Sequence, residues 1–114
     1  ALFPRLYIAQ PTRGANLKAG KAYQGFGVAA DPAGVTGVEV LLDGQVAAQA
    51  RYGLDPPGGR VSDALGFDPA YPRVQFDYVL PGARLTRGAH RLSLRATRAD
   101  GSVIEGAPRT FYVP

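Results

Sequence analysis

His90 is the only histidine in a chain without cysteine, so it is the one side chain whose ordinary pKa lies near neutrality. To act as a general base it needs a nucleophile and an orienting partner within hydrogen-bond reach. Ser93 and Thr97 share its segment, but on a strand their odd spacing turns them to the opposite face. His90 instead has the parity of Leu92 and Leu94, which places it at the inner end of a sheet. There its ring can hydrogen-bond back to the 81–88 loop. Carboxylates are the second candidate. Asp55, Asp63 and Asp68 lie in one proline-rich stretch, but a glycosidase pair needs two carboxyls about 5–10 Å apart in a cleft. A surface loop studded with prolines supplies none. Asp31, Asp43 and Asp100 read as turn acids at different corners, each accounted for by local backbone bonds. Calcium takes about six to eight oxygens, and no D-x-D-x-D-G run occurs. Gly25-Phe26-Gly27 lies inside a strand with no helix after it, so it is not a phosphate cradle. No catalytic set, metal site or cofactor is expected, and the chain reads as a non-enzyme.

The sharpest contact candidate is a set of rings and guanidinium groups in and beside the 53–72 loop: Tyr52, Arg60, Phe67, Tyr71 and Arg73. Aromatic faces and arginine forks are favoured at binding surfaces, and such a platform would suit a sugar ring, a polyanion or a protein partner. The competing reading is that the rings fold inward and close the open edge of the domain.

Period-two alternation sets the elements that must position these residues, and helical periodicity is almost absent. Strands are predicted over 5–9, 21–30, 37–43, 45–52, 73–80, 89–98, 102–105 and 109–113, the last two forming one strand if Gly106-Ala107-Pro108 does not split it. In the second, Ala22, Gln24, Phe26, Val28 and Ala30 share one face, and Tyr23, Gly25, Gly27 and Ala29 the other. Val74, Phe76, Tyr78 and Leu80 point inward from the fifth. Asp43-Gly44 is a two-residue hairpin turn of the primed type, and Asp31-Pro32-Ala33-Gly34 is a second turn. Ser62 can cap a short helical turn through Leu65. Seven or eight short alternating strands make an all-β fold, an antiparallel sandwich of two sheets. Residues 1–4 read as a flexible lead-in and 5–114 as one domain.

The 114 residues are 46% hydrophobic, enough for a core. A net charge of +4 permits attraction to anions, but the arginines are dispersed and make no nucleic-acid site. Arg91 and Arg95 read as an outer sheet face. No stretch approaches the roughly 20 apolar residues of a membrane helix, so no membrane insertion is expected.

Three stretches together carry a family resemblance. Residues 25–44, from Gly25-Phe26-Gly27-Val28-Ala29-Ala30-Asp31 through Val38-Glu39-Val40-Leu41-Leu42-Asp43-Gly44, resemble the "G-x-A-x-D…G-V-x-x-V-E-V-x-L-D-G" segment of bacterial immunoglobulin-like (Big-type) domains. Leu85-Thr86-Arg87-Gly88-Ala89-His90-Arg91-Leu92-Ser93-Leu94-Arg95-Ala96-Thr97 is similar to their "L-x-x-G-x-H-x-L-x-V-x-A-x-D" strand. Residues 97–101 and 109–113 match their terminal hairpin, and Arg51-Tyr52-Gly53 is similar to an "A-R-Y-G" segment of a subset appended to larger envelope proteins. Arg98 stands where many relatives carry an acid, and Phe26 where tryptophan is common. The resemblance implies an immunoglobulin-like sandwich outside the cytoplasm, in the periplasm, at the cell surface or secreted. It would serve as a non-catalytic spacer, accessory or protein-interaction module whose partners are neighbouring domains or another envelope protein. The alternative is a carbohydrate- or polyanion-binding module that uses the 53–72 loop for a glycan.

Overall fold

The computed structural model describes residues 5–55 and 65–114. The 1–4 lead-in, Arg60 and the Ser62-capped turn lie outside the described residues. Among the described residues nine strands follow one another: β1 (Arg5–Gln10), β2 (Tyr23–Ala30), β3 (Val35–Leu42), β4 (Gln45–Gln49), β5 (Arg51–Leu54), β6 (Gln75–Leu80), β7 (Gly88–Arg98), β8 (Val103–Glu105) and β9 (Arg109–Val113). One sheet has the order β1-β2-β6-β5. The other has β4-β3-β7-β8, with β9 also on β7. The strand pairings are antiparallel, and the two sheets form an immunoglobulin-like β-sandwich.

Apolar side chains at alternate positions meet between the sheets. Val38, Val40 and Leu42 of β3 face Phe76, Tyr78 and Leu80 of β6, with Leu92, Leu94 and Ala96 of β7 and Phe111 and Val113 of β9 beside them. Leu17 and Leu85 enter from loops and seal one end. Leu17 is held there by its N–H, which donates to Tyr112 O at 2.8 Å.

The single strand expected over 45–52 is two strands in different sheets. β4 pairs with β3, and β5 pairs with β6 in the opposite sheet. The chain crosses at Ala50, whose N–H still donates to Val38 O of the first sheet at 2.9 Å. A register shift at Val40/Leu41 twists β4 away just before the crossing. β8 and β9 do split at Gly106-Ala107-Pro108, and both remain on β7.

In β2 it is the glycine face that turns inward. Gln24, Phe26 and Val28 lie on the outer side, and Gly25, Gly27 and Ala29 are directed at the core. Gly27 pairs with Phe76 and Gly25 with Tyr78. Each ring lies where a β2 side chain would stand: a Cβ on Gly27 would sit 2.8 Å from the Phe76 ring and 2.1 Å from Tyr7 O. A Cβ on Gly25 would sit 2.4 Å from the Tyr78 hydroxyl. That hydroxyl crosses β2 and donates to Gln10 O of β1 at 2.7 Å.

Gly27→Ala is therefore expected to destabilise the domain by about 2–3 kcal/mol, because the obstructing atom is backbone and cannot rotate away. Gly37→Ala, with nothing within 4 Å of the added carbon, should stay within about 0.5 kcal/mol of the parent. Urea denaturation of the two variants side by side checks both, and equal midpoints would refute the packing account.

Candidate functional site

The β3–β4 turn positions the first group of chemistry-bearing side chains. Asp43 and Gly44 adopt positive φ values of 53° and 86°, as the primed two-residue turn between Leu42 and Gln45 requires. The turn carries the Asp43 carboxylate across to the start of β7. There Oδ1 accepts the Arg91 N–H at 2.9 Å, and Oδ2 lies 2.6 Å from His90 Nδ1. The other ring nitrogen, Nε2, is 2.6 Å from Thr86 O, the loop contact expected from parity. His90 is only 7% exposed and stacks on Phe111 with centroids 5.4 Å apart.

A carbonyl and a carboxylate accept hydrogen bonds, so these two contacts favour the ring protonated at both nitrogens, its charged form. The hydrogen bond to Thr86 O raises the His90 pKa most, burial opposes it, and Asp43 adds to the rise. For Asp43, burial works upward, but the bonds from Arg91 and His90 prevail and its pKa is lowered. In that form the ring offers no lone pair to a nucleophile. Ser93 lies on the outer side of the sheet, in an open hollow of about 430 Å³ with Asp43, Arg91 and Pro108, away from the buried ring.

The second group surrounds the far end of β2. Tyr52 of β5 donates its hydroxyl to Ala29 O at 2.8 Å, and burial, then the nearby Asp68 charge, pushes its phenol upward. Phe67 and Tyr71 are half-buried and pack with Val28 on a small cluster of Ala30, Leu65 and Val74. This second cluster is why Ala29 and Ala30, on opposite faces, are both fully buried. Arg73 Nε is 3.0 Å from Asp55 Oδ1 in an exposed ion pair. Of the five contact candidates, then, Tyr52, Phe67 and Tyr71 gather at this end of the sheet, Arg73 stands in an exposed pair, and Arg60 lies outside the described residues.

Asp68 is the residue that sequence reasoning treated as a surface carboxylate. It is buried and works as a latch. Its Oδ2 accepts the Asp31 N–H at 2.9 Å, and its Oδ1 accepts the Ala70 N–H at 2.7 Å. The Asp68-Pro69-Ala70 order, an Asx turn, was the signal available. Asp31 and Asp100 do not occupy separate corners. The Ala99 N–H donates to Gly34 O at 3.0 Å, joining their turns, and Arg98 bridges them by binding Asp31 Oδ2 at 2.9 Å and Ser102 Oγ at 3.3 Å. Ser102 in turn bonds Asp100. The basic residue at 98 is thus matched by a buried carboxylate. Among the described residues no three of His, Cys, Asp and Glu gather as a metal-binding group, and no helix is long and apolar enough to cross a membrane.

The class defined by this architecture is the immunoglobulin-like β-sandwich. Fibronectin(III)-like modules of Clostridium thermocellum CbhA superpose with a TM-score of 0.65 at 18% identity, over 95% of this chain and 45% of theirs. The endo-beta-1,4-mannanase of Thermotoga petrophila superposes at 0.58 with 14% identity, over 94% of this chain and 19% of that one. The chain thus spans less than half of either neighbour. No family model and no curated protein matches it.

Two outcomes are expected here. A His90 pKa raised above its ordinary 6.5 means that the charged ring stabilises the fold fully below that pH. The contribution is lost as pH rises through the folded value. The Asp43 contribution runs the other way and is lost only in acid, below its ordinary 3.8. The denaturation midpoint should therefore decline as pH rises above 6.5, and His90→Ala should cost about 1–2 kcal/mol below that pH and flatten the slope. A level wild-type profile would mean a neutral ring. Separately, Asp68→Ala should cost about 2–3 kcal/mol by orphaning buried N–H groups, and protease nicking within 65–73 should accelerate; an unchanged digestion rate would show that the latch does not hold the loop.

Proposed function

We propose that this chain is a non-catalytic, immunoglobulin-like accessory module of a bacterial exported or surface protein, which holds the parts joined to it at a fixed separation. The supporting observation is where the strands enter and leave. Arg5 of β1 pairs with Ala30, at the end where Val35 pairs with Arg98. Val113 of β9 pairs with Gly88, at the opposite end of the 11-residue β7. The path thus enters one end of the sandwich and leaves the other, about 30 Å away at a strand's rise per residue. Consistent with a structural role, the groups that could carry acid–base chemistry are consumed by internal bonds: His90 by Thr86 and Asp43, Asp68 by two backbone N–H groups. The mannanase neighbour supports an accessory role by analogy, since the matched region is 19% of that chain. An extracytoplasmic setting follows from the Big-type sequence resemblance and belongs to the same proposal.

The test is deletion of the module from its full-length protein, followed by small-angle scattering and activity measurement. The maximum dimension should shrink by about 30 Å, while the rate of any reaction catalysed elsewhere in that protein stays within about twofold. An unchanged dimension would overturn the proposal. So would turnover by the isolated chain that disappears in a folded Asp43→Asn variant.

A further inference from the structure

Arg109, at the start of β9, reaches from one sheet to the edge of the other. Its Nη1 donates to Ile8 O and, at 3.2 Å, to Pro11 O, and its guanidinium carbon lies 5.4 Å from the Tyr7 ring centroid. Beside it the chain breaks between β8 and β9. The Gly106 N–H donates to Leu94 O at 3.0 Å, and the backbone sits so close to β1 that a Cβ on Gly106 would be 3.1 Å from Leu6 Cβ. Between this break and β1 lies a cleft of about 120 Å³, whose lining includes the apolar Leu6, Leu94 and Pro108 and also Tyr7, Arg13 and Arg109.

Three features of the cleft specify a ligand. Its two guanidinium groups have no acidic partner among the described residues. Glu105, next to the break, is engaged with Arg95 at 3.3 Å. Arg109 has five N–H donors, and its backbone bonds use one nitrogen, so the group is held in place with donors to spare. The Tyr7 ring is oriented by Arg109 yet 54% exposed, and Phe26, two residues along β2 from its partner Val28, is 37% exposed. Such diagonal neighbours on a sheet lie about 7–8 Å apart.

We propose that this corner binds an acidic polysaccharide, with a uronate carboxylate entering the cleft to Arg13 and Arg109 and its pyranose ring lying on Tyr7. An unpaired cationic pair asks for an anion, and arginine forks match carboxylates. The cleft holds the volume of about four waters, which admits a carboxylate and its carbon but not a folded peptide segment. The apolar C–H face of a pyranose, weakly positive, complements the negative face of an aromatic ring. The site lies away from the 53–72 loop and is independent of the spacer role.

The experiment is an amide chemical-shift titration of the labelled full chain with trigalacturonate, its methyl ester, acetate, inorganic phosphate and triglutamate. Trigalacturonate should saturate, with the largest shifts at Tyr7, Arg13, Ala107 and Arg109. Arg13→Gln and Tyr7→Ala, both at solvent-facing positions, should each weaken it about tenfold, the worth of one charge-assisted hydrogen bond or ring contact. The methyl ester should bind at least about tenfold more weakly. Equal binding by acetate or phosphate would reduce the site to an adventitious anion contact, and equal binding by triglutamate would make it a peptide site; either overturns the proposal. So would wild-type affinity in both variants, which would assign the binding to net positive charge alone.

Discussion

The rings of Phe76 and Tyr78 lie across a strand that has no side chains beneath them, and the rest of the sandwich is built on that contact. β2 contributes only backbone at Gly25 and Gly27, so two aromatic residues of β6 can cover it directly. Aromatic cover of this kind offsets the flexibility that glycine brings to a strand. It also lets the Tyr78 hydroxyl span a whole strand and bond to β1, tying three strands of one sheet through a single side chain. In a chain with no cysteine, no covalent cross-link shares this task, and closure rests on apolar packing and on polar side chains that reach between elements.

Those polar side chains follow one pattern. Asp43 ties a hairpin turn to β7, Asp68 ties a loop to the 31–34 turn, and Arg98 ties that turn to the 98–102 hairpin. Asp43 and Asp68 accept from backbone N–H groups and, for Asp43, from the buried His90 ring, while Arg98 donates to the buried Asp31 carboxylate. Among the described residues, no buried side-chain nitrogen or oxygen lacks a partner. Residues that resemble catalytic components in one dimension are, in three, the fasteners of the loops.

Much of this was legible in the residues themselves. Asp43-Gly44 permits positive φ twice in succession, so the hairpin and its register were fixed locally, and the parity of His90 with Leu92 and Leu94 fixed its inward direction. The reading failed where the deciding contact is distant in sequence. Residues 45–52 alternate as one strand, and nothing local says that Ala50 is where the chain changes sheets; that depends on β6, more than twenty residues later. For β2 the alternation left open which face is buried, and the presence of Phe76 and Tyr78 opposite decides for Gly25 and Gly27. Asp68 was misjudged because its burial depends on the Asp31 N–H, 37 positions away.

The path from β1 to β9 has a mechanical meaning. The two strands belong to different sheets and carry the chain in at one pole and out at the other. Tension along that axis would slide β1 against β2 and β9 against β7, loading every rung of both ladders at once. Peeling, which breaks hydrogen bonds one at a time, would need a pull across the strands. The same strand arrangement therefore resists a pull applied between the start of β1 and the end of β9.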